Sequence, residues 1–386
     1  MAAFNGIGKK IHNILKCEDT AVMFEAYRQL GVEYRVLEET SDSIDIEITT
    51  VAAKNLDTIF YMNNSGTATR FLIPCLGLIN GEFFLDGCER MRERPIHDLV
   101  EALKGLGVNI EYLGANGFLP LTIKSTGKLT GKTSIKCDLS SQYLTGLLIA
   151  QALSNNSFKV EIEGEMLVSK PYIDLTNQVI EDFLKSDVYE VEADYSSASY
   201  FAALGILGQQ NILLPKLNPN SLQADRKFIK TLIEMGAQIE FIGTDLICKN
   251  SNLKSLGVIN CEDFPDAAMT LAMVAALMEN QKTVLTGLST LKHKECDRLV
   301  ALETELKKVG VNAIADDQSI TIYGVNPKEL AGAKIETYND HRMAMCFAIL
   351  QYFNPEIEIL NPTCVNKTFP EFWNKLEYFK VGPLVN

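Results

Sequence analysis

Apolar residues recur along this chain in two alternating kinds of run. The first is a stretch of small and medium apolar residues with almost no polar face, each opened by a short polar motif. It occurs as NNSGTATRFLIPCLGLI, DLSSQYLTGLLIAQAL, DYSSASYFAALGIL, DFPDAAMTLAMVAAL and YNDHRMAMCFAIL. Helices apolar on all sides belong inside a domain rather than on its surface. The second kind is a β-rich run, a polar loop and an amphipathic helix, as in FFLDGCERMRERPIHDLVEALKGLG and TVLTGLSTLKHKECDRLVALETELKKVG. Three of these helices stop at Gly followed by Val or Ala, a C-terminal stop signal. Each then runs into two short strands joined by a polar turn, such as VNIEYLGANGFLPLTI and AQIEFIGTDLICK.

One repeat therefore reads strand, buried helix, strand, exposed helix, hairpin. The pattern predicts an α+β architecture of two pseudo-symmetric lobes, three repeats in each, with the apolar helices inside. The lobes are expected at residues 1–193 and 194–386. Equivalent positions Gly66, Ser141, Ser197, Asp266 and His341 are 75, 56, 69 and 75 residues apart. The short second interval leaves too little chain after IDLTNQVIEDFL, around Lys185 to Val188, for both a hairpin and the next lead-in strand. Residues 14–49 form the second half of a repeat, and MAAFNGIGKKIHN before them is no buried helix. The first and third repeats are thus expected to be incomplete. An absent inner helix would bare a large apolar face, so a truncated form, or one completed by another segment or chain, is expected.

Composition narrows the class. At 386 residues the chain exceeds one ordinary core. It is 47% hydrophobic and 22% charged, with no run long enough to span a bilayer and no signal-like start, and a cytoplasmic protein is expected. Its nine cysteines form no CxxC pair and its four histidines have no metal-site spacing, so neither a disulfide framework nor a metal is expected. A net charge of −13 argues against nucleic acid or an anionic membrane as partner. Any anion site must be local.

Such sites are suggested where the polar motifs open helices, because free backbone N–H groups and the helix dipole favour anions there. Gly66 lets the backbone approach a ligand, with Thr67 and Arg70 beside it. Basic residues gather at equivalent repeat positions: Arg90, Arg92 and Arg94; Lys292, Lys294 and Arg298; Arg342; Lys367. Their recurrence points to an anion pocket for a doubly charged ligand. Ser140, Ser141 and Gln142 could be a helix cap or part of that pocket, while Ser196 and Ser197 read as caps. Asp266 and Glu295 are the acidic residues set in apolar or basic contexts, hence the candidate proton-transfer pair. For Asp266 a capping role stands beside that one. His341 reads as a hydrogen-bonded structural histidine. Lys9 and Lys10 in GKK lack the surroundings of a phosphate loop.

Taken in order, NNSGTATR, DGCERMRERPIHDLV, SSQYLTGLL, LVSKPYIDLT, SSASYF, SLQADR, DFPDAAMT, KHKECDRL, YNDHRMAMCFAI and NKTFPEF resemble the signatures of the EPSP synthase family, from about Ile14 to about Leu376. The resemblance implies an enolpyruvyl transferase-like fold, a two-lobed inside-out α/β barrel of pseudo-sixfold βαβαββ repeats. It implies transfer of the enolpyruvyl group of phosphoenolpyruvate to the 5-hydroxyl of shikimate 3-phosphate through a tetrahedral intermediate, in the route to chorismate and aromatic amino acids. No cofactor or metal is implied; the partners are those two small molecules, and a monomer is expected. By position, Ser140, Ser141, Gln142, Ser169, Tyr172, Asp266 and Lys294 look like the shikimate 3-phosphate site. Asn64, Gly66, Arg94, Gln142, Arg298, Arg342 and Lys367 look like the phosphoenolpyruvate site. Asp266 would accept the hydroxyl proton, and Glu295, assisted by Lys294, would serve the methylene carbon. Three departures stand out: the family's opening GSKSxSNR motif is absent, the third repeat is short, and Phe71 and Thr290 replace the usual Pro and Asn. A non-catalytic relative that binds the phosphorylated ligand or a partner is the alternative reading. UDP-N-acetylglucosamine enolpyruvyl transferase resembles the chain less.

Overall fold

The computed structural model describes residues 1–136, 140–163, 170–208 and 210–381. The chain forms two compact units, Met1–Val191 and Glu192–Asn386, each with its own apolar core.

In the first unit, α1 (Ala2–Asn5) leads to β1 (Lys10–Leu15), α2 (Glu18–Gln29), β2 (Glu33–Glu39) and β3 (Ser43–Thr50). A complete repeat follows: β4 (Thr58–Tyr61), α3 (Gly66–Leu76), β5 (Asn80–Asp86), α4 (His97–Gly105), β6 (Asn109–Tyr112) and β7 (Leu121–Thr126). Its sheet order is β4-β5-β7-β6, with β4 parallel to β5 and β7 antiparallel to both its neighbours. The third repeat is β8 (Gly131–Lys136), α5 (Gln142–Leu153), β9 (Phe158–Glu163) and α6 (Lys170–Lys185), and the unit closes with β10 (Val188–Glu190).

The second unit repeats the scheme. It begins with α7 (Tyr195–Leu207), β11 (Ile212–Leu214), α8 (Arg226–Glu234), β12 (Gln238–Ile242) and β13 (Asp245–Lys249). The middle repeat is β14 (Val258–Asn260), α9 (Pro265–Ala276), β15 (Lys282–Thr286), α10 (Arg298–Lys308), β16 (Asn312–Ala315) and β17 (Ile320–Tyr323), in the order β14-β15-β17-β16. This is the topology of the complete repeat in the first unit. Finally come β18 (Lys334–Ile335), α11 (His341–Phe353), β19 (Glu358–Ile359) and α12 (Phe372–Val381).

The all-apolar helices are interior, as their sequences require. Every residue of α9 but Asp266 is buried, and each of its Leu, Met and Val side chains contributes about 1.5–3 kcal/mol by leaving water. Polar atoms lock the helices in place. Thr270 on α9 hydrogen-bonds Ser199 on α7 at 2.9 Å and lies 3.8 Å from the Cys346 sulfur on α11. Close approach in the first unit depends on Gly146, where a Cβ would lie 2.4 Å from the Arg70 carbonyl oxygen. That glycine lets α5 press against α3, while Thr145 and Thr176, 3.0 Å apart, tie α5 to α6.

The two expected gaps take specific forms. After α6 no hairpin follows; the chain passes directly to β10, which pairs parallel with β1, Lys10 opposite Val188. The lead-in strand of the first sheet, ordered β10-β1-β3-β2, thus comes from the far end of the unit. Among the described residues the sheet β11-β13-β12 has no lead-in strand. The expected bare face is only partial, because Ala2 and Ala3 of α1 enter the core. On α5, Leu148 and Ile149 stay half-buried, whereas Ala348 and Ile349 at the equivalent places of α11 are buried. Lys9 has a structural role: its Nζ donates to the Phe183 and Ser186 carbonyls at 2.8 and 2.6 Å, closing the end of α6. No helix among the described residues is long and apolar enough to cross a membrane.

Candidate active site

In the second unit, an ionic cluster forms where α9, α10 and α11 begin. Arg298 opens α10 and is 1% exposed, a charge that survives burial because three carboxylates surround it. Its Nη1 donates to Asp266 at 2.8 Å, its Nη2 to Glu295 at 3.0 Å, and its Nε and Nη2 to Asp340 at 2.7 and 3.1 Å. Lys294 and Arg342 approach Asp266 to 3.2 and 3.5 Å, and Lys367 reaches Glu295 at 3.0 Å. Asp266, Lys294, Glu295, Arg298, Arg342 and Lys367, all singled out in sequence, are thus one constellation.

Burial alone would raise the Asp266 carboxyl, but Lys294, Arg342 and Arg298 outweigh it and hold the group well below the usual carboxylate range. It is ionised, and as long as those cations hold it, it binds a proton only weakly. Burial pulls Lys294 down from the ordinary lysine range, although Asp266 opposes this. Asp266 stands in the first turn of α9 and makes no cap bond, so the capping alternative is excluded. His341 is buried and its pKa falls to about 3 through desolvation, so the ring is neutral. Among the described residues its Nδ1 has no hydrogen bond, lying 3.7 Å from Asp340 Oδ1, contrary to the expected hydrogen-bonded histidine.

The first unit builds a second polar cluster at the starts of α3 and α5. Arg94 is 4% exposed and its Nη1 donates to the Asn64 carbonyl at 3.2 Å. A Cβ on Gly66 would fall 2.5 Å from Arg94 Nη2, so only glycine leaves room for that guanidinium. Gln142 joins the two helices, accepting from Arg70 Nη1 at 2.8 Å and donating to Thr67 at 2.9 Å. Ser140 Oγ accepts the Gln142 N–H at 3.3 Å, and Ser141 at the cap position makes no side-chain cap bond. Tyr172 is half-buried on α6. Ser169 lies outside the described residues.

Several basic residues prove to be surface partners. Arg90 pairs with Glu93, Arg92 with Asp86 and Lys292 with Asp317, all at or near solvent. Ser196 and Ser197 do not cap α7: Asp194 does, accepting both their N–H groups at 3.1 and 2.9 Å. Thr290 is buried, and its hydroxyl has no hydrogen-bond partner among the described residues.

Sequence reasoning passed over Asp340, Asp225 and Tyr200. Asp340 caps α11 by accepting the Arg342 N–H at 2.8 Å while fixing Arg298. Tyr200 accepts from Arg342 Nη1 at 3.2 Å. Asp225 is buried beside Ser196, and desolvation pushes it up to about 6 against the pull of Arg342. An Asp two residues before Arg, as in DHR, was the available signal for Asp340.

Inner helices, a repeated strand–helix–strand–helix–hairpin scheme in two units and basic side chains at helix starts are the features of the enolpyruvyl transferase fold. EPSP synthase from Acinetobacter baumannii superposes with a TM-score of 0.70 at 22% identity, covering 97% of this chain and 91% of that one. The enolpyruvyl transferase NikO from Streptomyces tendae gives 0.69 at 14% identity, over 97% and 90%. Sequence narrows the class further. The EPSP synthase (3-phosphoshikimate 1-carboxyvinyltransferase) family matches residues 1–376. The 3-phosphoshikimate 1-carboxyvinyltransferase of Shewanella sediminis is 40% identical over 94% of this chain and 89% of its own length. That of Shewanella oneidensis is 39% identical over 96% and 90%. The chain belongs to the EPSP synthase family.

Proposed function

We propose that this chain transfers the enolpyruvyl group of phosphoenolpyruvate to the 5-hydroxyl of shikimate 3-phosphate, giving 5-enolpyruvylshikimate 3-phosphate and phosphate. The observation that carries this reading is the pair Asp266 and Glu295, both bonded to the Arg298 guanidinium and flanked by Lys294, Arg342 and Lys367. Two ionisable carboxyl groups amid four cations suit a reaction that moves protons on polyanionic substrates.

In the addition step, the hydroxyl oxygen bonds to C2 of phosphoenolpyruvate while a proton enters at C3, turning the methylene into a methyl group. The hydroxyl gives its proton to Asp266, and the Glu295 carboxyl with Lys294 serves C3. In the elimination step, the C2–O bond to phosphate breaks, the methyl group returns one proton to Glu295, and the proton held by Asp266 leaves with the phosphate. Asp266 is a weak base while its cations are unmatched. Substrate anions bound by those cations would reduce their hold on the carboxylate and strengthen it as a base. Charge stabilisation by Arg298, Arg342 and Lys367 is the larger contribution to rate.

The remaining assignments follow the motifs. Ser140, Ser141, Gln142, Ser169 and Tyr172 in the first unit, and Asp266 and Lys294 in the second, are proposed contacts of shikimate 3-phosphate. Asn64, Gly66, Arg94 and Gln142 in the first unit, and Arg298, Arg342 and Lys367 in the second, are proposed contacts of phosphoenolpyruvate. The same reading takes the protein as a cytoplasmic monomer.

Phosphate release from the two substrates together is the direct test, run beside Glu295→Gln. The reading expects turnover by the unmodified chain and a kcat lowered about 10²–10⁴-fold in the variant, the usual contribution of a positioned acid or base. Binding of shikimate 3-phosphate with no phosphate released would favour a non-catalytic relative.

A further inference from the structure

A further buried carboxylate lies on α10, two turns beyond Arg298. Glu305 is 0% exposed and takes no part in the ionic cluster. Its Oε1 accepts from the Tyr338 hydroxyl at 2.7 Å and from Lys308 at 2.9 Å, and its Oε2 accepts the Glu336 N–H at 3.1 Å. A carboxylate so deeply buried is tolerated because charged and polar donors surround it.

The segment it holds is unusual. Tyr338 and Asn339 have φ of 53° and 55°, two consecutive left-handed residues with neither a glycine. Asparagine adopts this conformation readily, but a tyrosine keeps it only where its surroundings enforce it. Directly after this turn come Asp340, which grips Arg298, and Arg342, which reaches Asp266 and Tyr200. Helix α10 therefore fastens residues 336–342 at two places, Arg298 on Asp340 and Glu305 on Glu336 and Tyr338.

We infer that Glu305 and Tyr338 are positioning residues of the transferase, holding a strained turn so that Arg342 is aimed before substrate arrives. Neither touches reacting atoms. The inference rests on the reading of Arg342 as a phosphoenolpyruvate contact, since a rigid anchor matters most for a side chain that must meet a planar anion bidentately.

The test measures phosphate release with each substrate varied in turn, and hydrogen exchange of residues 336–342, for Tyr338→Phe, Glu305→Gln, Glu305→Ala and Arg342→Ala. Tyr338→Phe is expected to raise KM for phosphoenolpyruvate about tenfold, the scale of one lost hydrogen bond to a charged group. KM for shikimate 3-phosphate should hold, and exchange in 336–342 should quicken while the rest of the second unit is unchanged. Glu305→Gln, which keeps an acceptor for the hydroxyl, should fall between wild type and Glu305→Ala. If Glu305→Ala does not fold, Tyr338→Phe decides alone. Wild-type KM together with wild-type exchange at 336–342 in Tyr338→Phe overturns the inference. An unchanged KM in Arg342→Ala would instead sink the reading of Arg342, leaving the exchange result to decide whether the turn is held as argued.

Discussion

Arginine 298 is the place where removing one side chain has the most calculable effect. In Arg298→Ala, Asp266 keeps Lys294 and Arg342, and Glu295 keeps Lys367. Among the described residues, Asp340, with no exposure, keeps the Arg342 N–H, the Cys296 thiol and, 3.7 Å away, the His341 ring that burial holds neutral. Removing one partner of a buried ion pair costs about 3–5 kcal/mol, mostly the penalty of the charge left behind. In a unit of this size each kcal/mol moves the melting temperature about 2–4 °C, so a drop of about 10 °C is expected. The pH dependence has a definite sign. In the wild type, burial opposes ionisation of Asp340 but Arg298 overcomes it and depresses its pKa, so the stabilisation exists above the unfolded carboxylate range and is lost as pH falls through the folded value. In the variant, uncompensated burial raises the Asp340 pKa, so protonation on mild acidification relieves the folded state. The gap between the two proteins should therefore narrow as pH falls from neutral. Calorimetric melting at neutral and mildly acidic pH checks this. An unchanged melting temperature at neutral pH, or a gap indifferent to acid, would refute the ionic account of this core.

Two further substitutions probe the first unit. Gly66→Ala puts a methyl group 2.5 Å from Arg94 Nη2, and the flexible guanidinium should yield; we expect KM for phosphoenolpyruvate to rise about tenfold with little change in melting, read by phosphate release and calorimetry. Lys9→Met removes the donor to two carbonyls at the end of α6, which should cost about 1–2 kcal/mol in urea unfolding. The Lys9–Asp187 pair adds little to that figure, because Asp187 is almost fully exposed.

Much of this architecture is legible in the chain because an apolar helix with no polar face has one place to go. DFPDAAMTLAMVAAL and YNDHRMAMCFAIL announce α9 and α11, and their polar openings announce the ionic cluster. Charge alone does not separate Arg94 from Arg90 and Arg92. The difference is register: Arg94 ends the short turn at Met91–Glu93 and faces the gap left by Gly66, while Arg92 is exposed beside Asp86 and the half-buried Arg90 turns to Glu93. Asp194 hides in the same way, because the serines after it look equally able to cap α7. Asp340 and Glu305 act through contacts with residues 42 and about 30 positions away, which no local pattern encodes. The pairing of β10 with β1 is more distant still.

That last pairing also bears on the order of events during synthesis. The first sheet begins at Lys10, yet its outer strand is Val188–Glu190, so the chain must be nearly half made before the sheet can be completed. At ribosomal speeds this is a wait of about 10–40 s, with one edge of β1 unpaired throughout. Closing so large a loop adds little equilibrium cost, since loop entropy grows only logarithmically, but it places the slowest contact of the first unit last. A nascent chain stalled before residue 188 should thus be held as an open-edged intermediate, the species a chaperone would meet.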